Sequence, residues 1–128
     1  MRHKKNRLLE LSTGDKKKDV VIRELLTNLV ANGKIVTTWK RAKVLKAEAD
    51  HFFSKLLETM WRYSDEKDWL REAIRYVKSR IYWEEVWKKV INTYLPKYKD
   101  LSAKSFVANY KMWFRLWDGA EKIMLKLL

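Results

Sequence analysis

The residues best able to do chemistry in this chain are cations. Arg2, His3, Lys4, Lys5 and Arg7 crowd the start, and Lys16, Lys17 and Lys18 follow. A second group, Thr37, Thr38, Lys40, Arg41 and Lys43, interleaves hydroxyls with charge, and Lys111 and Arg115 stand among aromatics near the far end. Such side chains neutralise phosphates and release condensed counterions, so the chemistry on offer is recognition of a polyanion. If all seven basic residues within positions 1–18 were engaged, the log–log salt slope would be on the order of −5 to −6. Lys16, Lys17 and Lys18 open a predicted helix. That end attracts anions through its dipole and free N–H groups, yet three cations there are unfavourable for the helix itself. The conflict points to an external anion, against the plainer reading of a solvated charge run. The Thr37–Lys43 cluster either presents hydroxyls and cations to a phosphate backbone or simply caps a wet helix face.

Other chemistry finds little support. Asp65-Glu66 and Glu84-Glu85 are adjacent pairs, which do not share a helix face, and both read as first-turn partners of a helix dipole. There is no cysteine, no Gly-rich phosphate loop and no Ser–His arrangement with a local signature. His3 suits stacking or a phosphate contact, not metal ligation, because no second ligand is near in sequence. His51, beside Phe52 and Phe53, reads as a packing or surface residue. No enzyme, cofactor or small-molecule substrate is expected.

The elements that must position the cations follow from composition and period. At 128 residues with 47% hydrophobic content, the chain is long enough for one domain with a real core. Three glycines and one proline argue against a turn-rich all-β fold. No apolar run approaches the roughly 18 residues of a membrane span, and no apolar segment follows the basic start as in a signal peptide. The net charge is +13, a statement about partners and not about fold. Residues 1–18 carry seven basic against two acidic side chains, whereas residues 58–89 carry eight against seven. Residues 1–14 therefore read as an extended basic tail, with Leu8, Leu9 and Leu11 available to pin it, and residues 15–128 as a single domain.

A first helix is predicted over Asp15–Ala31, with Ile22, Leu26, Val30 and Val21, Leu25, Leu29 on a wide apolar face. Asn32-Gly33 ends it, Ile35 and Val36 make a short strand, and Thr38 is placed to cap the next helix. That helix runs from Trp39 or Lys40 to Arg62, with Ala42, Leu45, Ala49, Phe52, Leu56 and Met60 as its stripe. Ser64-Asp65-Glu66 starts a third helix bearing Leu70, Ala73, Ile74, Val77 and Ile81. A fourth carries Val86, Trp87, Val90, Ile91 and Tyr94 and stops before Pro96. The break near Tyr82-Trp83 is weak, so one continuous helix is an alternative. Residues 97–104 read as a polar connection. Phe106, Tyr110, Trp113, Phe114 and Trp117 then lead to Asp118-Gly119, a hairpin signal. Ala120–Leu128 fits a helix or a strand. The seven tryptophans could stack on bases, but the simpler expectation is that most fill the core, with Trp113 and Trp117 the ones to touch a partner.

Arg23-x-Leu25-x-Thr27-x-Leu29, Ile35-x-Thr37-Thr38 and Arg41-Ala42-Lys43-x-Leu45 resemble the core signature of the L17 family of bacterial large-subunit ribosomal proteins. Met1-Arg2-His3-Lys4-Lys5 is similar to that family's opening. Toward the C-terminus the likeness thins. Lys111, Arg115 and Asp118 match family positions and Phe106 stands where a tyrosine would be, but Lys104-Ser105, Ala108 and Trp117 replace a Gly-Gly pair, an arginine and a glycine. The resemblance implies an α+β protein with two layers. About four helices pack on a small three-stranded mixed sheet, with the strand near 34–38 at its centre and a C-terminal hairpin beside it. That makes the last segment a strand.

The resemblance also implies a non-catalytic rRNA-binding constituent of the large ribosomal subunit. It would sit near the outer end of the polypeptide exit tunnel, with other ribosomal proteins as neighbours and no membrane contact. Bacterial cytoplasmic and organellar ribosomes both fit. The RNA-binding residues expected are those of the three clusters together with the signature's Arg23. The competing readings are a free-standing nucleic-acid-binding regulator, which needs a base-reading helix, and a membrane-surface protein, which needs its aromatics gathered on one helix.

Overall fold

The computed structural model describes residues 15–99 and 105–128. The predicted tail and the later part of the 97–104 connection lie outside them. Helix α1 spans Asp15–Asn32, β1 Lys34–Thr38, α2 Trp39–Arg62 and α3 Glu66–Arg80. A further helical run begins as α4 (Glu84–Lys89), widens into a π turn (Val90–Tyr94) and closes as α5 (Leu95–Lys99). Strands β2 (Val107–Phe114) and β3 (Glu121–Leu127) form the hairpin. With α4 through α5 taken as one run, four helical segments stand against a three-stranded sheet among the described residues, the expected α+β architecture.

Local chemistry explains the punctuation. Gly33 sits at φ +76 and its N–H closes onto the Leu29 carbonyl at 2.8 Å, which ends α1. Its own carbonyl accepts the Leu127 N–H at 2.9 Å, so the residue that stops the helix also anchors β3. Asp65 caps α3, its side chain accepting the Lys67 N–H at 3.2 Å. The chain breaks between α3 and α4 at Ile81–Trp83, so the third and fourth helices are separate.

The sheet corrects the expectation in two respects. Its order is β1-β3-β2 and every pairing is antiparallel. It is therefore not mixed, and the strand at 34–38 lies at an edge. The hairpin forces β2 and β3 antiparallel, and the other side of β3 takes β1. The middle position suits β3 because it buries Ile123, Leu125 and Leu127, whereas no residue of β1 is fully buried. Each such burial contributes about 1.5–3 kcal/mol gross. The register runs Lys34↔Lys126 to Thr38↔Lys122 on one side and Val107↔Leu127 to Lys111↔Ile123 on the other, with an irregularity before Phe114↔Glu121. Cross-strand partners share a face, so Ile35, Thr37, Val107, Ile123, Leu125 and Leu127 look toward the helices.

Two further expectations give way. Pro96 does not stop the fourth helix. In the π turn the Leu95 N–H reaches back to the Val90 carbonyl, and this widened turn accommodates the proline ring, which has no N–H to place. Nor do the tryptophans fill the core. Trp61, Trp83, Trp113 and Trp117 are 58–80% exposed and Trp39 is 45% exposed, while Trp69 and Trp87 only pack against the core's margin. The aromatic centre is Phe53, with Tyr98 edge-on at 5.0 Å, Phe52 at 5.1 Å and Phe106 at 5.7 Å.

Candidate nucleic-acid interface

At one end of the sheet β1 gives way to α2, β3 begins and β2 ends. This end gathers two of the predicted clusters. Thr37 and Lys111 both pair with Ile123, from opposite sides. They therefore share a row and a face, two strands or about 10 Å apart. Thr38 occupies the N-cap position of α2 with φ −73 and ψ 159, but its hydroxyl makes no capping bond. The predicted cap is present in backbone form only. The first turn of α2 holds no acidic residue, so the positive end of the helix dipole adds to Arg41 and Lys43, both exposed, and to half-buried Lys40. The Lys43 ammonium lies 4.8 Å from the Trp39 ring centroid, which presents a cation and an aromatic face together.

At the hairpin tip Arg115 Nε donates to Asp118 Oδ1 at 3.0 Å, a second guanidinium N–H meets Asp118 Oδ2, and the group lies 4.6 Å from the Trp117 ring centroid. Burial works against the Asp118 charge, but the Ala120 N–H and Arg115 outweigh it and hold its carboxyl below the usual range. Arg115 is thus a cation already partnered within its turn, whereas Lys111 is exposed on the strand.

The other predicted residues lie elsewhere. Lys16, Lys17 and Lys18 are in the first turns of α1, with Lys17 exposed and Lys18 half-buried. Arg2, His3, Lys4, Lys5 and Arg7 are outside the described residues. Arg23 joins α1 to the end of α3: its guanidinium donates to the Lys78 carbonyl at 2.9 Å and the Ile81 carbonyl at 3.4 Å, and lies 4.1 Å from the Tyr82 ring centroid. Thr27 continues the clamp, donating to the Arg23 carbonyl at 2.7 Å and accepting the Tyr82 N–H at 3.3 Å. The Arg23-x-x-x-Thr27 spacing thus has a structural use, holding the link between α3 and α4 against α1. His51 is exposed.

The clusters chosen from the sequence omit Lys34, Lys122, Lys126 and Tyr110, which the register places on the sheet face away from the helices. Their signal was present in Lys122-x-Met124-x-Lys126, which alternates with the buried Ile123, Leu125 and Leu127. It becomes readable once the segment is known to be a strand. Among the described residues no group of His, Cys, Asp or Glu gathers where it could hold a metal ion, and no helix is long and apolar enough to cross a membrane.

Comparison with known proteins agrees with the sequence resemblance. A family model described as Ribosomal protein L17 matches residues 21–128. The large ribosomal subunit protein bL17 of Clostridium kluyveri is 33% identical over 108 residues, covering 84% of this chain and 86% of that protein. Its counterpart in Clostridium acetobutylicum is 32% identical, covering 84% and 85%, and that of Clostridium tetani 31%, covering 84% and 86%. These relatives are bacterial and lend nothing to the organellar alternative. The family match starts at Val21, so the similarity of the first five residues stands outside it. Spanning most of the chain and including the signature from Arg23 to Leu45, these matches show that the chain is a divergent member of the ribosomal protein L17 family.

Proposed function

We propose that this chain is a structural constituent of the large ribosomal subunit in the cytoplasm, where it binds rRNA and supports assembly near the outer end of the polypeptide exit tunnel. Family membership over residues 21–128 is the observation that carries this reading. The charge distribution supports it: +13 overall, with the start of α2 lacking any first-turn acid to offset its cations. On this reading Thr37, Thr38, Lys40, Arg41 and Lys43, with Lys111 and Arg115, meet rRNA phosphates at one end of the sheet, Thr37 and Lys111 from its helix-side face and Thr38 from the other. Lys16, Lys17 and Lys18 add a second contact, and the predicted tail with Arg2, His3, Lys4, Lys5 and Arg7 threads between RNA segments. Arg23 serves the interface by holding α1 against the α3–α4 link. Neighbouring ribosomal proteins are the other partners. The work done is charge neutralisation and positioning, with no bond made or broken.

Sucrose-gradient fractionation of native cells across a salt series tests it. The chain is expected in the large-subunit peak and to remain there at moderate salt. Its absence from every ribosomal fraction would overturn the reading and favour a free-standing basic nucleic-acid-binding protein.

A further inference from the structure

The face of the sheet turned away from the helices carries a second arrangement. Lys34 pairs with Lys126, Val36 with Met124, and Met124 in turn with Tyr110. Val36, Met124 and Tyr110 thus make an apolar row across all three strands, with Val36 and Tyr110 each 48% exposed. On β3, Lys126 and Lys122 stand two residues to either side of Met124, about 13 Å apart. Tyr110, one strand over, lies midway between them.

The lysines are unusually placed. Like charges directly opposite across a ladder destabilise it, yet Lys34 and Lys126 are direct partners. Among the described residues no carboxylate forms an ion pair with Lys34, Lys122 or Lys126, and the described strands put no acid on this face. A lysine on an edge strand can serve to block unwanted pairing, which would account for Lys34. It does not account for Lys122 and Lys126, because β3 is the central strand and has no free edge. A second copy docked face to face would set these three lysines against the same three. The complementary ligand is polyanionic and offers a flat apolar group to a ring.

We propose that this open sheet face binds single-stranded RNA, with an unpaired base stacked on Tyr110 over the Val36–Met124 row and the flanking phosphates held by Lys34, Lys122 and Lys126. This deepens the ribosomal reading and rests on it for the identity of the RNA. It adds a surface that reads unstacked bases to one that neutralises backbone. Stacking gives affinity with little sequence preference, because every base has a π-face.

The test is a fluorescence-anisotropy titration of the full chain with end-labelled oligoadenylate over a salt series. Tyr110→Ala is expected to weaken binding roughly five- to a hundred-fold with the salt slope unchanged, and Tyr110→Phe to retain most of the affinity. Replacing Lys34, Lys122 and Lys126 with glutamine should lower the slope by about 2, since each single-strand phosphate contact adds about 0.7. Should Tyr110→Ala not fold by circular dichroism, Tyr110→Leu keeps the bulk, removes the stackable ring and carries the same expectation. Equal oligoadenylate binding by the parent and the ring-less variant overturns the proposal. So does a loss confined to phosphatidylserine vesicles, which would mark a lipid surface. The parent's gradient position separates the two readings. A parent in the large-subunit peak with no effect at Tyr110 sinks the sheet-face proposal alone, and a parent absent from ribosomal fractions sinks the ribosomal one alone.

Discussion

Asp50 Oδ1 accepts the Phe106 N–H at 2.9 Å, joining the middle of α2 to the residue just before β2. Its other oxygen takes the Lys46 ammonium at 3.0 Å, and Lys46 also reaches Ser105 Oγ at 3.2 Å. One carboxylate therefore fixes where the hairpin leaves the helical layer and helps seat Phe106 beside Phe53 and Tyr98. Asp50→Ala strands the Phe106 N–H and the Lys46 charge. We expect it to destabilise the chain by about 1.5–3 kcal/mol, measured by urea unfolding, with Asp50→Asn costing less because an acceptor remains.

Gly33→Ala tests the anchor between α1 and β3. A Cβ there would meet only the Tyr94 hydroxyl at an ordinary 3.6 Å, so crowding is not the issue. The left-handed φ of +76 is what opposes the substitution, and it should cost alanine about 1–2 kcal/mol. Gly33→Asn is expected to lose less, since Asn tolerates this conformation. Thermal midpoints of the two variants check the order.

Alkaline pH should loosen the core. Burial raises the phenol pKa of Tyr76, Tyr94 and Tyr98 above the ordinary 10.0. The folded chain thus keeps these protons at a pH where the unfolded chain has released them. Their contribution is complete below pH 10 and declines as pH rises beyond it. Tyr98 also donates to the Leu128 carbonyl at 3.0 Å. Tyr98→Phe should cost about 0.5–1.5 kcal/mol at neutral pH and flatten the alkaline decline. Unfolding free energies on either side of pH 10 decide it.

Arg23→Met and Lys43→Gln should part company. Arg23 holds two carbonyls at the end of α3, so its loss is expected to cost about 1–3 kcal/mol of stability. Lys43 is exposed against the Trp39 ring, so its loss should leave stability within about 0.5 kcal/mol and lower the salt slope for a large-subunit rRNA transcript by about 0.7–0.9. Reversed outcomes would reverse the roles.

Where the controlling interaction is local, the sequence was a good guide. The apolar periods of α1 and α2, the Gly33 stop and the Asp65 cap depend on residues a few positions apart, and their elements form close to the expected bounds. The strand order was not legible, because it depends on which strand can bury side chains while pairing on both edges. Pro96 misled because a π turn, which no short motif announces, absorbs it. The tryptophans misled because Phe52, Phe53, Tyr94, Tyr98 and Phe106 already fill the aromatic centre. The outer-face lysines were legible only in part, through the alternation of Lys122-x-Met124-x-Lys126 with buried neighbours. Lys34 and Lys126 become neighbours only through the register.

The central place of β3 also sets an order of events during synthesis. It follows both β1 and β2 in the chain, and both pair with it and not with each other. No two strands of the sheet can join until β3 has left the ribosome making it. Until then the nascent chain holds a helical half whose inner surface awaits Ile123, Leu125 and Leu127, and a β2 segment with no partner. The sheet therefore waits on β3: a chain halted before it has helices but no surface on which Thr37 and Lys111, or Lys34 and Lys126, stand together.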